Sequence, residues 1–235
     1  MMPSSGEYRI LPYGDRYIYV AFKNEISEAV NDRVVALCGA IDNASFSWVK
    51  NCIPAYCTLL IEYDPTTIGF NEASQCVGEL IYSGRAGPVN RRTVIIPVCY
   101  GGEYGPDMQA LCSHCGLSPE EVTAIHSSPE YRVYMLGFRP GFPYLGGMDG
   151  RIAMPRKQTP RLKVPAGSCG IAGEQTGIYP CESPGGWQII GRTPLKLFDA
   201  GRQEPSLLRA GDLVKFKPIT ESEFRDIEKG EAWLR

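Results

Sequence analysis

Residues 137–192 form the stretch that most constrains the fold of this chain. They include 12 glycines and 7 prolines among 56 residues, about one third, against roughly an eighth in an average chain. Five aromatic residues and short apolar pieces separate the turns, which argues against disorder. We therefore predict a series of tight turns packed on a β scaffold. Because glycine allows a backbone to approach a ligand closely and proline limits the entropy lost on ordering, the stretch suits the wall of a binding site.

The charge of this stretch favours an anionic ligand. It carries seven basic and three acidic residues, in a chain whose formal net charge is −2. Each cation taken singly is expected to face solvent. A cationic wall that also contains aromatic rings nevertheless suits a carboxylate or phosphoryl group, since arginine offers a planar fork of donors. The basic residues are Arg139, Arg151, Arg156, Lys157, Arg161, Lys163 and Arg192.

We expect the ligand cleft between the 138–144 loop and the 175–187 loop, with Arg156 or Arg192 facing the negative group. Amide and hydroxyl side chains there are predicted to bond the ligand, and aromatic rings to form the apolar walls. The predicted substrate-binding residues are Phe138, Pro140, Gly141, Phe142, Tyr144, Arg156, Gln175, Thr176, Tyr179, Trp187 and Arg192.

His126 is the candidate general base, because histidine titrates near neutral pH and this one precedes a strand that enters the stretch. The alternative is a residue at a helix end that bonds the backbone. Ser168 and Thr176 can act as nucleophiles only where a base is near, which the sequence does not settle.

Nucleotide and metal sites are not expected in this chain. No Gly-x-x-x-x-Gly-Lys-[Ser/Thr] motif is present, and Lys157 and Lys163 lack the context of a biotin attachment site. The glycines 167, 170 and 173 suggest a phosphate loop only superficially. Nine cysteines, an odd number, fit reduced thiols. Cys112 and Cys115 have C-x-x-C spacing without further ligands, so we predict buried thiols there and no metal.

The N-terminal part of the chain, up to Val98, shows the order β-α-β-β-α-β, which is typical of a ferredoxin-like domain. Strands are predicted at 17–22, 48–53, 58–63 and 93–98. Ser27 is expected to cap a helix that reaches Ile41, and Asn71 a second helix that reaches Ile81. We place the domain at 1–90 and expect a scaffold or docking role for it.

The second domain, 91–235, is predicted to be mainly β. Residues 100–106 look like a linker, and two short helices follow, the second starting at Ser118 with proline in its first turn. Strands are predicted at 131–136, 194–198 and 213–217. The simplest interpretation is an all-β barrel with two peripheral helices.

Composition excludes several classes of protein. A near-neutral charge gives no attraction to nucleic acid or to membranes. The first twenty residues lack the pattern of a signal peptide, and no segment has the 18 or so apolar residues of a membrane span. We therefore expect a cytoplasmic protein.

The motifs of the stretch resemble one family. They are GFRPGFPYLGG (137–147), PR (155–156), TPR (159–161), VPAGS (164–168), GIAG (170–173), QTGIYP (175–180), ESPGGW (182–187) and GRTP (191–194). The family is variously called the B subunit of 5-oxoprolinase, sporulation-kinase inhibitor or allophanate hydrolase subunit 1, and it carries carboxyltransferase subdomains C and D. The resemblance is strongest from about His126 to Asp199, and it implies a cyclophilin-like barrel.

The resemblance also implies a function and partners. Family members act with a homologous C-type partner and an ATP-using A-type partner to cleave 5-oxo-L-proline, a small carboxylate, to L-glutamate. This implies a non-ATP-binding component of an ATP-dependent 5-oxoprolinase, inactive alone and without a cofactor of its own. The alternatives are a protein inhibitor of a sporulation histidine kinase, or a protein like the subunits of carboxyltransferases and allophanate hydrolases.

Overall fold

The computed structural model describes residues 8–83 and 91–230. The chain divides into two compact units, Met1–Arg91 and Arg92–Arg235. The N-terminal unit contains β1 (Tyr8–Tyr13), β2 (Tyr17–Phe22), α1 (Glu28–Ala44), β3 (Val49–Pro54), β4 (Thr58–Tyr63) and α2 (Phe70–Tyr82).

The four strands of the N-terminal unit form one antiparallel sheet in the order β1-β2-β4-β3. Alternate residues of the central strands are buried, among them Ile18, Val20, Leu59 and Ile61. These side chains share a hydrophobic core with the apolar faces of α1 and α2, as expected for a sheet with one covered face.

This topology does not confirm the ferredoxin-like prediction. That pattern requires a strand after the second helix in the same sheet. The predicted strand at 93–98 does form, but as β5 (Thr93–Tyr100) it pairs with strands of the C-terminal unit. The fourth strand of the N-terminal sheet is instead β1, which lies before the predicted pattern and forms a hairpin with β2.

Local signals set the helix starts. The Ser27 hydroxyl accepts the backbone N–H of Val30 at 3.3 Å, as predicted. Asn71, by contrast, is not a cap: α2 begins at Phe70 after Gly69, without a capping side-chain bond.

The C-terminal unit continues with α3 (Met108–Cys115), α4 (Pro119–Ser127), β6 (Glu130–Leu136), β7 (Pro143–Gly146), a 3-10 turn (Gly150–Ile152), β8 (Arg161–Val164), β9 (Ser168–Ala172), β10 (Gln175–Ile178), β11 (Ser183–Gly185), β12 (Gln188–Arg192), β13 (Leu213–Pro218) and α5 (Glu221–Glu228). Ser118 and Glu121 form a reciprocal capping box at the start of α4.

Seven strands close into a barrel in the order β10-β7-β6-β13-β5-β12-β9. The β13–β5 pair is parallel and the other pairs are antiparallel. Strands β8 and β11 form a separate two-stranded sheet. The barrel prediction is therefore confirmed, and α5 is a helix in addition to the two that the sequence indicated.

Two predictions in this half are wrong. Residues 100–106 are not a linker, because Tyr100 belongs to β5, the Gly101 N–H bonds the Ile190 carbonyl and Gly105 is buried against the same strand. Residues 194–198 form no strand, and only an isolated bridge joins Phe198 to Ser206. Alternating apolar and basic residues predicted that strand, but bends and turns surround the single bridge there.

Candidate functional site

The turn between β6 and β7 depends on one glycine. Gly141 has a φ of +81°, and a Cβ there would lie 2.8 Å from the Cβ of Phe198. Phe138, in the same turn, also has a positive φ of 61° and is 61 % exposed. Gly141 thus serves close packing within the protein, whereas Phe138, Arg139 and Pro140 are presented to solvent.

Aromatic rings fill the space between the two loops that we expected to border the cleft. The Phe142 ring centroid lies 5.5 Å from those of Tyr179 and Trp187 and 5.2 Å from that of Tyr144, all edge-to-face. Phe142, Tyr179 and Trp187 are buried. Such pairs stabilise beyond their buried area. These rings therefore form a core that supports a surface rather than the walls of a deep cleft.

Two arginines lie beside this core. The guanidinium carbon of Arg156 is 5.9 Å from the Trp187 ring centroid, in the range of a cation–π contact. Burial raises the pKa of the Tyr179 hydroxyl, and the positive charges of Arg156 and Arg161 oppose that rise. The phenol and both guanidinium groups are therefore electrostatically coupled. We call Arg156, Arg161, Tyr179 and Trp187 the basic aromatic corner.

Asp107 fixes the basic side of this corner. Its carboxylate accepts Arg161 Nη2 at 2.6 Å, Lys157 Nζ at 2.9 Å and the Ile189 N–H at 2.7 Å. Burial raises the pKa of Asp107, but the hydrogen bonds from Arg161, Lys157 and Ile189 outweigh burial, so its pKa lies below the usual value. One buried carboxylate therefore orients two cations, a preorganisation that an anion site requires.

Three buried polar atoms near the corner have no hydrogen-bonding partner among the described residues. They are Gln188 Oε1, Ser183 Oγ and Arg161 Nη1. The Gln188 amide nitrogen is held by the Pro155 carbonyl at 2.9 Å, so its oxygen has a fixed position. Because most buried polar atoms have partners, these atoms are candidates to bind a ligand or ordered water.

Arg192 lies apart from the corner. It stands at the opposite end of β12 from Trp187, roughly 16 Å away for five residues of extended chain. Its Nε bonds the Ala166 carbonyl at 2.9 Å, and its guanidinium lies 5.9 Å from the Phe224 ring centroid. The two predicted anion-binding arginines therefore do not share one cleft. The guanidinium of Arg192 instead contacts other groups of the protein.

His126 is fully buried and both of its ring nitrogens are engaged. Nδ1 lies 2.7 Å from Tyr100 Oη and Nε2 lies 2.9 Å from Thr176 Oγ1. The Thr176 hydroxyl donates to the Gly170 carbonyl, so it accepts from Nε2–H, and Nδ1 accepts from Tyr100. The ring also stacks on Phe216 with centroids 4.6 Å apart.

This environment opposes the general-base hypothesis for His126. Burial lowers the pKa of its imidazole to about 3, because desolvation disfavours the charged ring. A group in this state stays neutral near pH 7, and the ring is not exposed to solvent. Thr176 is likewise a buried member of this chain of hydrogen bonds rather than a ligand contact. Gln175, on β10, is half-buried at the surface.

The glycines 167, 170 and 173 do not form a phosphate loop. Gly170 lies within β9, and the other two lie in the turns that flank this strand. At Gly167, with φ of +80°, a Cβ would lie 2.2 Å from the Thr193 carbonyl oxygen. A strand follows Gly173 instead of the helix that a phosphate loop needs.

The sequence did not predict a role for Arg161, nor any part in the site for Asp107, Ser183 and Gln188. The Thr159-Pro160-Arg161 motif was an available signal for Arg161. Nothing comparable marked Asp107, which lies 54 residues before its partner Arg161 and meets it only in the tertiary structure.

Fold and site together define a class of protein: a chain whose C-terminal unit is a closed seven-stranded barrel with a preorganised cationic corner. The family model "Carboxyltransferase domain, subdomain C and D" matches residues 8–208. The chain belongs to this family.

Curated and solved relatives agree with that assignment. The chain is 49 % identical over 228 residues to the B subunit of 5-oxoprolinase from Bacillus subtilis (strain 168), covering 92 % of this chain and 95 % of the relative. It is also similar to the crystal structure of the conserved uncharacterized protein PH0987 from Pyrococcus horikoshii. That protein is 51 % identical, with a TM-score of 0.56 and coverage of 92 % of this chain and all of the other.

A more distant similarity concerns the fold alone. The Kluyveromyces lactis urea carboxylase is 21 % identical, with a TM-score of 0.68, and the match covers 95 % of this chain and 23 % of that one.

None of the helices in the described part of the chain has the length and apolar character of a membrane-spanning segment.

Proposed function

We propose that this chain is the B subunit of a cytoplasmic, ATP-dependent 5-oxoprolinase that cleaves 5-oxo-L-proline to L-glutamate. The observation that carries the proposal is the 49 % identity to the B subunit of a 5-oxoprolinase across nearly the full length of both chains. The reaction belongs to a complex. A homologous C-type protein is the partner of this chain, and an A-type protein uses the ATP.

The residues support a role for this chain other than ATP binding. ATP use requires a site that cradles phosphates and holds a magnesium ion, and the glycine motif nearest to one builds turns around β9. This supports a role for the chain in substrate binding or assembly, and we expect it to be inactive with 5-oxoproline and ATP by itself.

The basic aromatic corner is the proposed binding site for the carboxylate of 5-oxo-L-proline. Arg156 is exposed and lies over the Trp187 ring, so its guanidinium is accessible. Arg161 is held by Asp107 with one guanidinium nitrogen unpartnered among the described residues. A guanidinium fork matches a carboxylate.

Reconstitution tests the proposal. The chain is purified alone, with the C-type partner, and with both partners, and glutamate and ADP are measured with 5-oxoproline as substrate. We expect coupled formation of both products only in the three-protein sample. Omission of this chain, with the other two present, is the matched control and should abolish turnover. Turnover by the lone chain, or full turnover without it, would disprove the proposal.

A further inference from the structure

A cluster of soft and acidic side chains lies in the N-terminal unit, away from the corner. Cys38 and Asp42 occupy α1 and Cys52 occupies β3. One ligand atom from each residue lies within 4.8 Å of the other two. Cys38 and Asp42 share a face of the helix because they are four residues apart. β3, which carries Cys52, is the edge strand next to that helix in the fold.

The three side chains border a pocket of about 370 Å³, whose lining also includes Ser45, Phe46 and Lys50. A water molecule occupies roughly 30 Å³ in the liquid, so the pocket admits an ion with water or a small ligand beside it. Access is not restricted, because Cys38 and Cys52 are half-buried and Asp42 is exposed.

The local charges favour a cation here. Asp42 lies in the last turn of α1, which contains no basic residue, and the helix dipole disfavours negative charge at that end. Lys50 lines the pocket, yet its ammonium pairs with Asp64 at 3.4 Å. A divalent cation would offset the Asp42 charge at this end of the helix.

We propose that Cys38, Asp42 and Cys52 form a binding site for Zn²⁺, with a fourth position open to the pocket. Two thiolates and one carboxylate suit zinc, whereas magnesium and calcium prefer oxygen ligands alone. Tetrahedral Zn–S bonds place ligand atoms about 3.8 Å apart, so the cluster contracts by at most about 1 Å on binding. The ion would tie the C-terminal end of α1 to the edge strand of the sheet.

This site differs from the C-x-x-C pair for which the sequence predicts buried thiols and no metal. That pair, Cys112 and Cys115, lies on α3. Cys38 and Cys52 are separated by a helix end and a turn, so no short spacing connects them. The proposal is independent of the 5-oxoprolinase assignment.

Cobalt titration tests the proposal without any enzyme assay. The full chain is reduced, stripped with a chelator and titrated with Co²⁺, which gives a sulfur-to-cobalt charge-transfer band when thiolates bind it. We expect the band at one equivalent of Co²⁺, and we expect Zn²⁺ to displace it. Cys38→Ser and Cys52→Ser should lose the band, and Asp42→Asn should weaken binding at least about tenfold.

Cys76→Ser is the matched control, because Cys76 is another partly buried cysteine of the same unit that lies outside the cluster. It should keep the band, and circular dichroism establishes that each variant is folded. Absence of the band in the reduced wild-type chain overturns the proposal, as does a band that survives both Cys38→Ser and Cys52→Ser. If the two thiols form only a disulfide and the reduced chain takes no metal, the proposal is also wrong.

Discussion

His126 Nε2 lies 2.9 Å from the Oγ1 of Thr176, a residue fifty positions later in the chain. The contact joins α4 to β10 inside the C-terminal unit, and the imidazole is fully buried. The neutral imidazole of His126 donates one hydrogen bond and accepts another. His126, the candidate catalytic base, therefore has a structural role.

Acidification should therefore destabilise the protein through His126. Its folded pKa of about 3 lies below the ordinary value of 6.5, so protonation favours the unfolded chain. The stabilisation is fully present above about pH 6.5 and is lost as the pH falls towards 3. Between pH 7 and pH 5 the loss is about 2 kcal/mol, measured by urea unfolding at each pH.

His126→Gln should flatten this dependence while lowering stability at pH 7. His114→Gln is the control, because His114 is exposed on α3 and should leave the slope unchanged. An unchanged slope in His126→Gln would show that other groups carry the pH dependence.

Asp107→Asn should destabilise the C-terminal unit by about 3 kcal/mol, because the substitution leaves Lys157 and Arg161 without their shared charged partner. The pKa of Asp107 is lowered on folding, so its contribution is present above about pH 4 and is lost below that. Chemical denaturation at pH 7 measures the difference. Glu182→Gln, which breaks an exposed pair with Lys163, is the control and should cost well under 1 kcal/mol. Equal effects in the two variants would contradict a special role for Asp107.

Gly105→Ala should also be strongly destabilising. The added Cβ would lie 2.1 Å from the carbonyl oxygen of Ile190, and backbone atoms of a barrel strand cannot move away as a flexible side chain can. We expect a loss of about 3 kcal/mol and a lower melting temperature by calorimetry. Gly150→Ala, where a Cβ meets nothing within 4 Å, should change stability by less than about 0.5 kcal/mol. A wild-type melting temperature for Gly105→Ala would refute this.

Arg156→Ala and Arg192→Ala should have different effects in the reconstituted complex. If Arg156 binds the substrate carboxylate, its removal costs about 2 kcal/mol or more, a fall of about thirtyfold in kcat/KM with folding unchanged. Arg192→Ala should lower stability through the lost bond to Ala166 while keeping most of the activity. If the Arg156→Ala variant folds, assembles and turns over at the wild-type rate, the basic aromatic corner is not the substrate site. Loss of assembly would instead make it an interface with a partner protein.

Local sequence was sufficient where the determining contacts are local. Ser27 caps α1, and Ser118 with Glu121 caps α4, because each bond closes within one helical turn. Short apolar runs predicted the strands at 17–22, 58–63 and 131–136, and the motifs of the Gly/Pro stretch identified the family.

Sheet membership and the environment of buried polar groups were decided only by the tertiary structure. The apolar pattern of β5 predicts a strand but does not say which sheet the strand joins. Its parallel partner β13 is about 120 residues later in the chain. The composition of the Gly/Pro stretch could not show whether a glycine faces a ligand or a neighbouring part of the protein, and Gly141 and Gly167 both face the protein. Spacing likewise could not show that His126 is enclosed by Tyr100, Thr176 and Phe216. Desolvation depends on every atom around a group, and those atoms come from parts of the chain that only folding brings together.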